Sequence, residues 1–246
     1  MHVRKLILAA TVALPATLAA GQSLAIPVTF SSDGSFSGVS ACSATAPACT
    51  VSNNGNTLTL GTSSFLGFPV QPYSTLTAVD QGAVTIQTPQ NDYQIGQINW
   101  TNNPTSNADQ NFSANYNLAL NFTAPALQSL VQTVVLNILQ PTNPPGDSVT
   151  NLLISAASPL NASFGGLTIS DIRISLLAGS GGSTYNAATG AWFNPESNTA
   201  RLRITADFRE TAVPEPASLA ILGMGLVGLG MTRLRRGAKD RTDAAA

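Results

Sequence analysis

From residue 26 to residue 212 apolar side chains recur mainly at every second position. Residues 112–122 set Phe112, Ala114, Tyr116, Leu118, Leu120 and Phe122 on one face, with serine, asparagine and alanine between them. A period of two is what a half-buried strand requires. Residues 201–209 set Leu202, Ile204, Ala206 and Phe208 against Arg201, Arg203, Thr205, Asp207 and Arg209, which predicts a strand with one wet face. Val134, Leu136 and Ile138 share a face in 133–140, as do Ile172, Ile174 and Leu176 in 168–176. Residues 93–100 alternate as well. Asn53-Asn54-Gly55-Asn56, between residues 49–52 and 57–60, signals a hairpin turn. Asp33-Gly34 signals another, between 27–31 and 36–40. Asp80-Gln81-Gly82 separates 76–79 from 83–88. The best helical candidate, residues 125–130, is two turns at most. Many short strands with Gly, Asn and Pro turns predict an all-β domain, an antiparallel β-sandwich or jelly roll.

The two ends break this pattern. Arg4 and Lys5 precede an apolar run at 6–14, and small residues follow, with Ser23-Leu24-Ala25 or Leu18-Ala19-Ala20 as the cleavage site. Residues 1–25 therefore read as a signal peptide, removed from the mature chain. At the other end Val213-Pro214-Glu215-Pro216 leads into an uncharged run at 217–231, then Arg233, Arg235, Arg236, Lys239 and Arg241. The two prolines favour an exposed, extended segment suited to a protease. Fifteen residues of helix span roughly 22 Å, and Thr232, Leu234 and snorkelling arginines lengthen the reach toward a bilayer core of roughly 30 Å. A single C-terminal transmembrane helix is expected, with Arg233, Arg235 and Arg236 holding its end on the cytoplasmic side.

Pro-Glu-Pro, a glycine-rich apolar helix and an arginine-rich end, in that order, resemble the PEP-CTERM sorting signal of Gram-negative bacteria. The resemblance implies an exosortase, a membrane cysteine protease, as a partner, and cleavage near Val213, Pro214, Glu215 and Pro216. It implies export, transient membrane attachment, and a final place at the cell surface or in an exopolysaccharide matrix. The chain then divides into a signal peptide (1–25), an ectodomain (26–212), a sorting signal (213–236) and a short polar tail (237–246). Within the ectodomain, Gly96-Gln97-Ile98-Asn99-Trp100-Thr101-Asn102, the strand ending Asn121-Phe122-Thr123, and Pro125 resemble choice-of-anchor K ectodomains. That resemblance brings no enzymatic role with it.

Removing both ends changes the charge. The ectodomain keeps four arginines against nine acidic residues, a net of minus five. No basic patch is left, which argues against nucleic-acid binding. The only histidine is His2, inside the signal peptide. Histidine-based nucleophilic sites and histidine-bearing zinc sites are thereby excluded from the mature chain. In an exported protein Cys42 and Cys49 are expected to form a disulfide closing a small loop. No metal-ligating set and no cofactor motif is present. Asp33, Asp80, Asp147 and Asp171 beside Asn, Ser or Gly read as turn formers rather than calcium ligands. Glu196 and Asp171 exemplify the carboxylates a glycosidase would need, yet nothing singles out a pair. The sequons at Asn99, Asn111, Asn121 and Asn161 read as products of an Asn- and Thr-rich composition. Trp192-Phe193, beside Gly190 and Asn194-Pro195, is the candidate for exposed aromatics that stack on sugar rings. The expectation is a non-enzymatic surface or matrix protein, structural or adhesive in an exopolysaccharide layer. The alternative is a carbohydrate-binding module, and a glycan hydrolase ranks third.

Overall fold

In the computed structural model of this chain, residues 25–40, 49–65, 68–104, 110–141, 146–211 and 223–227 are described, without the side chains of 61–73 and 110. The first seven strands are β1 (Pro27–Ser40), β2 (Thr50–Ser52), β3 (Thr57–Phe65), β4 (Phe68–Val79), β5 (Gln81–Gln87), β6 (Gln90–Asn102) and β7 (Gln110–Ala124). The rest are β8 (Gln128–Gln140), β9 (Asp147–Thr150), β10 (Ser163–Phe164), β11 (Leu167–Leu176), β12 (Thr184–Asn186), β13 (Ala191–Asn194) and β14 (Asn198–Glu210). They form two seven-stranded antiparallel sheets. The first runs β12-β13-β9-β8-β7-β1-β5 and the second β10-β11-β14-β6-β4-β3-β2.

Period-two alternation buries one face of each sheet against the other. All six apolar residues of the 112–122 run are buried, as are Leu202, Ile204, Ala206 and Phe208 on β14. Phe30 of the first sheet lies 5.3 Å from Phe208 and 6.0 Å from Tyr93 of the second, ring centre to ring centre. Phe122 meets Phe164 edge-on at 5.0 Å. These aromatic contacts across the core hold the two sheets together at one end.

The outer faces differ in chemistry. The second sheet carries all four ectodomain arginines, on β11 and β14, with Arg173 bonded to Asp171 and Asp92 and Arg209 bonded to Asp207. The outer face of the first is, Asp33 of β1 apart, a ladder of uncharged hydrogen-bonding groups. Asn117 donates to Ser37 and accepts from Thr133, and Ser129 donates to Asn121. Val131, Val135 and Leu139 of β8 are exposed on that face.

Three local expectations meet different fates. The Asn53–Gly55 turn joins β2 to β3 as expected, with Asn53, Asn54 and Gly55 all at positive φ. Asp33-Gly34 is no turn: β1 runs straight through it, paired to β7 from Thr29 to Ser40. Glycine is needed there for space, because a methyl group at 34 would stand 3.0 Å from Ala78 Cβ and 3.1 Å from the Tyr116 hydroxyl. The Gly34 N–H donates 2.9 Å to Asp80, whose other carboxylate oxygen accepts from Asn56 at 2.6 Å. Asp80 thus fixes the corner where the chain leaves the second sheet at β4 and enters the first at β5. Residues 125–130 are no helix either: Gln128 already pairs with Phe122, and Leu130 opens the inward series of β8.

Candidate functional site

The end of the sandwich around β13 gathers polar groups that its alternation drives inward. On β13 Trp192 and Asn194 point into the core and Phe193 points out. On β6 the inward series Ile98, Trp100 ends in Asn102, and on β8 the series Leu136, Ile138 ends in Gln140. A buried amide must find partners. Asn102 Nδ2 donates 2.8 Å to the Asn194 carbonyl. Asn194 Nδ2 donates to the Trp100 carbonyl at 3.2 Å, and its Oδ1 accepts from Ser183 at 2.6 Å and Asn198 at 2.7 Å. Ser74 donates to Asn102 Oδ1 at 3.1 Å. This network locks β13 of one sheet to β6 and β14 of the other.

Beside it lies an acidic pair. Asn194 stands opposite Asp147 in the β13–β9 ladder, and Glu196 follows two residues later. The chains touch closely here: a methyl group at Gly146 would lie 2.4 Å from the Asn194 carbonyl oxygen and 2.6 Å from Pro195 Cα. Asp147 is 1% exposed, and its Oδ2 accepts 2.9 Å from Gln140 Nε2. Asp147 Oδ1, Gln140 Oε1 and both Glu196 carboxylate oxygens are buried with no hydrogen-bond partner. Burial pushes the Asp147 carboxyl up to about 6, against the pull of the Gln140 amide. Burial, reinforced by the charge of Asp147, pushes Glu196 up to about 7.

The sequence-derived candidates fare unevenly. Trp192 is a correction: it is 1% exposed, paired edge-on with Trp100 at 4.9 Å, and cannot stack on a sugar. Its inward phase on β13, opposite Val149 of β9, decides this. Phe193 is on the outer face and 36% exposed. Asp171 and Glu196 are not brought together. Asp171 sits at a bulge of β11 facing the Thr205–Asp207 end of β14, while Glu196 precedes the other end of that strand. About ten residues of strand separate them, roughly 30 Å, far beyond the 5–9.5 Å of glycosidase carboxylates. Two surface hollows, one around Asn111, Asn137 and Leu139 and one around Leu153, Arg173 and Tyr185, are lined by neither Asp147 nor Glu196. Among the described residues no three of His, Cys, Asp and Glu come together. Cys42 lies outside the described residues, Cys49 is buried, and none of the described cysteines is free. The sequence signal for Asn102 and Gln140 was available, since each is a polar residue in the inward phase of an alternating strand, while Asn194 lies on a strand of four residues.

Beyond the domain, residues 223–227 are helical, with Met224, Leu226 and Val227 exposed. Among the described residues no helix is long and apolar enough to cross a membrane. Val213, Pro214, Glu215 and Pro216, most of the 217–231 run, and Arg233, Arg235 and Arg236 lie outside the described residues, as does the signal peptide up to residue 24. What decides the address is linear sequence. Residues 212–236 match the PEP-CTERM protein-sorting motif. A PEP-CTERM motif marks an exported protein sorted to the cell envelope and processed by an exosortase, a membrane protease. Searches of curated proteins and of solved structures found no match to this chain. The PEP-CTERM match covers the sorting segment and does not extend to the β domain in front of it.

Proposed function

We propose that this chain is a non-catalytic structural or adhesive protein of an extracellular polysaccharide layer. A signal peptide exports it, residues 217–231 hold it in the membrane as a helix stopped by Arg233, Arg235 and Arg236, and cleavage at Val213 to Pro216 releases it to the surface or matrix. The observation that carries this reading is the PEP-CTERM motif at 212–236, directly behind a β domain that ends its last strand at Glu210. Two features support it. The mature chain has no histidine, and the outer face of the first sheet offers uncharged Asn, Ser and Thr groups of the kind that hydrogen-bond to hydrated glycans. The likeness of residues 96–102 to choice-of-anchor K ectodomains belongs to the same reading. The carbohydrate-binding alternative, which relied on Trp192, now rests on Phe193.

The test is the intact mass of the protein recovered from its own cells. A species ending near Val213 to Pro216 in the outer or released fraction is expected. A full-length chain found only in the inner membrane would overturn the reading. The same spectra address the cysteines. Alkylation before reduction is expected to add nothing, and alkylation after reduction to label Cys42 and Cys49. Replacing both by serine is expected to lower stability by about 2 kcal/mol, the scale for a small closed loop. Alkylation without reduction would rule the disulfide out.

A further inference from the structure

We propose that Asp147 and Glu196, with the side-chain carbonyl of Gln140, form a calcium-binding site at the β9–β13 end of the sandwich. The inference is independent of the sorting reading and rests on four oxygen atoms. Asp147 Oδ1, Gln140 Oε1 and both oxygens of Glu196 are shielded from solvent and accept no hydrogen bond. Gln140 is 3% exposed, and its own Nε2 is bonded to Asp147 Oδ2. That bond fixes the amide, so Oε1 keeps its buried position and is not turned to water. Buried acceptors left without a donor are unfavourable in a folded core, and here the charge of Asp147 also acts on Glu196. Among the described residues no arginine acts on either carboxyl: the charge acting on Glu196 is that of Asp147, which is of the same sign.

A cation resolves this conflict. The donor set is all oxygen, two carboxylates and one amide, which suits a hard ion and not zinc or copper. Calcium fits better than magnesium, because it accepts irregular coordination from protein oxygens and fills the remainder with water. Gly146 permits the close approach of the chain before β9 to the Asn194-Pro195 backbone, between the positions of Asp147 and Glu196 in sequence. A site with two carboxylates falls in the weak class of extracellular modules, with Kd of roughly 0.1–1 mM.

The experiment uses the full-length protein purified in detergent, stripped with EDTA. Terbium ion, a luminescent calcium mimic, is added alone and excited through tryptophan. Trp192, two residues from Asn194 on β13, is placed to sensitise it. The result expected is saturable terbium emission displaced by calcium. A Tm gain of about 3–10 °C at about 10 mM calcium is also expected. Both responses should vanish in Asp147→Asn and in Glu196→Gln. Glu196→Gln guards against misfolding, because Glu196 is half-buried and its amide removes charge without changing shape. In EDTA at pH 8 this variant should be more stable than wild type, and in calcium less. Absence of terbium emission with no calcium shift, or a calcium shift that survives in both variants, would overturn the proposal.

Discussion

Trp192→Ala is expected to lose about 3–5 kcal/mol, while Phe193→Ala, one residue away, is expected to change stability by about 1 kcal/mol or less. Trp192 is fully buried between the sheets and packs edge-on against Trp100 at 4.9 Å. Removing a buried indole loses its transfer energy and leaves a cavity that the sheets cannot close, because the Asn102–Asn194 hydrogen bond fixes their spacing beside it. The same truncation removes the edge-to-face contact with Trp100. Phe193 lies on the outer face, where a phenyl ring adds little to folding. Urea unfolding of the two variants checks this. Equal losses would mean that β13 is not held in the observed phase. If Phe193 instead contributes to glycan binding, Phe193→Ala should weaken retention on the cell's own polysaccharide without moving the urea midpoint.

The contrast between these neighbours shows what the sequence made legible. Strand identity was readable wherever alternation was long. The 112–122 and 201–209 series bury the residues their phase assigns, because a face of Leu, Ile and Phe has nowhere else to go, but Thr205 and Asp207, expected on the wet face, are buried too. Phase failed where a strand was short or bulged. Residues 191–194 are four residues long, too short for alternation to decide which aromatic faces inward. On β6 a bulge between the partners Ile204 and Thr205 shifts the phase, so Ile95, Gly96, Ile98 and Trp100 are all buried although they belong to two alternating sets. Strand order was not readable at all. A sandwich and a jelly roll share the same alternation, and pairings such as β1 with β7 and β6 with β14 join residues more than seventy positions apart. Asp33-Gly34 shows the limit of turn chemistry. The pair marks a turn when the backbone must reverse, but here glycine answers to space beside Tyr116 and Ala78. The acidic pair was invisible for a related reason, since Asp147 and Glu196 meet only through the β9–β13 ladder. The sorting motif at 212–236 was legible because a linear motif is recognised as a string of residues and needs no partner from the fold.

With divalent ions removed by EDTA, stability is expected to fall as pH rises from about 4 to about 7. Asp147 is pushed up to about 6 by its burial. Glu196 is pushed up to about 7 by burial and by the charge of Asp147. In the unfolded chain both titrate near 4. Between those limits the folded protein holds protons that the unfolded chain has released, so the slope of stability against pH is negative. The favourable contribution is complete below the unfolded values and is lost as pH climbs through 6 and 7. Asp147 alone supplies on the order of 3 kcal/mol over a shift of about two pH units. Glu196 adds less, because part of its side chain is solvated. Asp207 acts in a separate window. Burial raises it, but the Asp92 N–H and the Arg209 and Arg173 guanidiniums outweigh burial and hold it below the ordinary range. Its contribution is present above its unfolded value and is lost only as pH falls through the folded one. Urea midpoints across pH 4–8 for wild type and Asp147→Asn separate the terms, since the amide keeps the partner of Gln140 and removes the proton. The variant should show a shallower slope, and a wild-type slope that is flat or rising would contradict the assignment. Calcium reverses the sign. The ion binds the deprotonated pair, so in its presence stability should rise with pH through the interval where the stripped protein weakens.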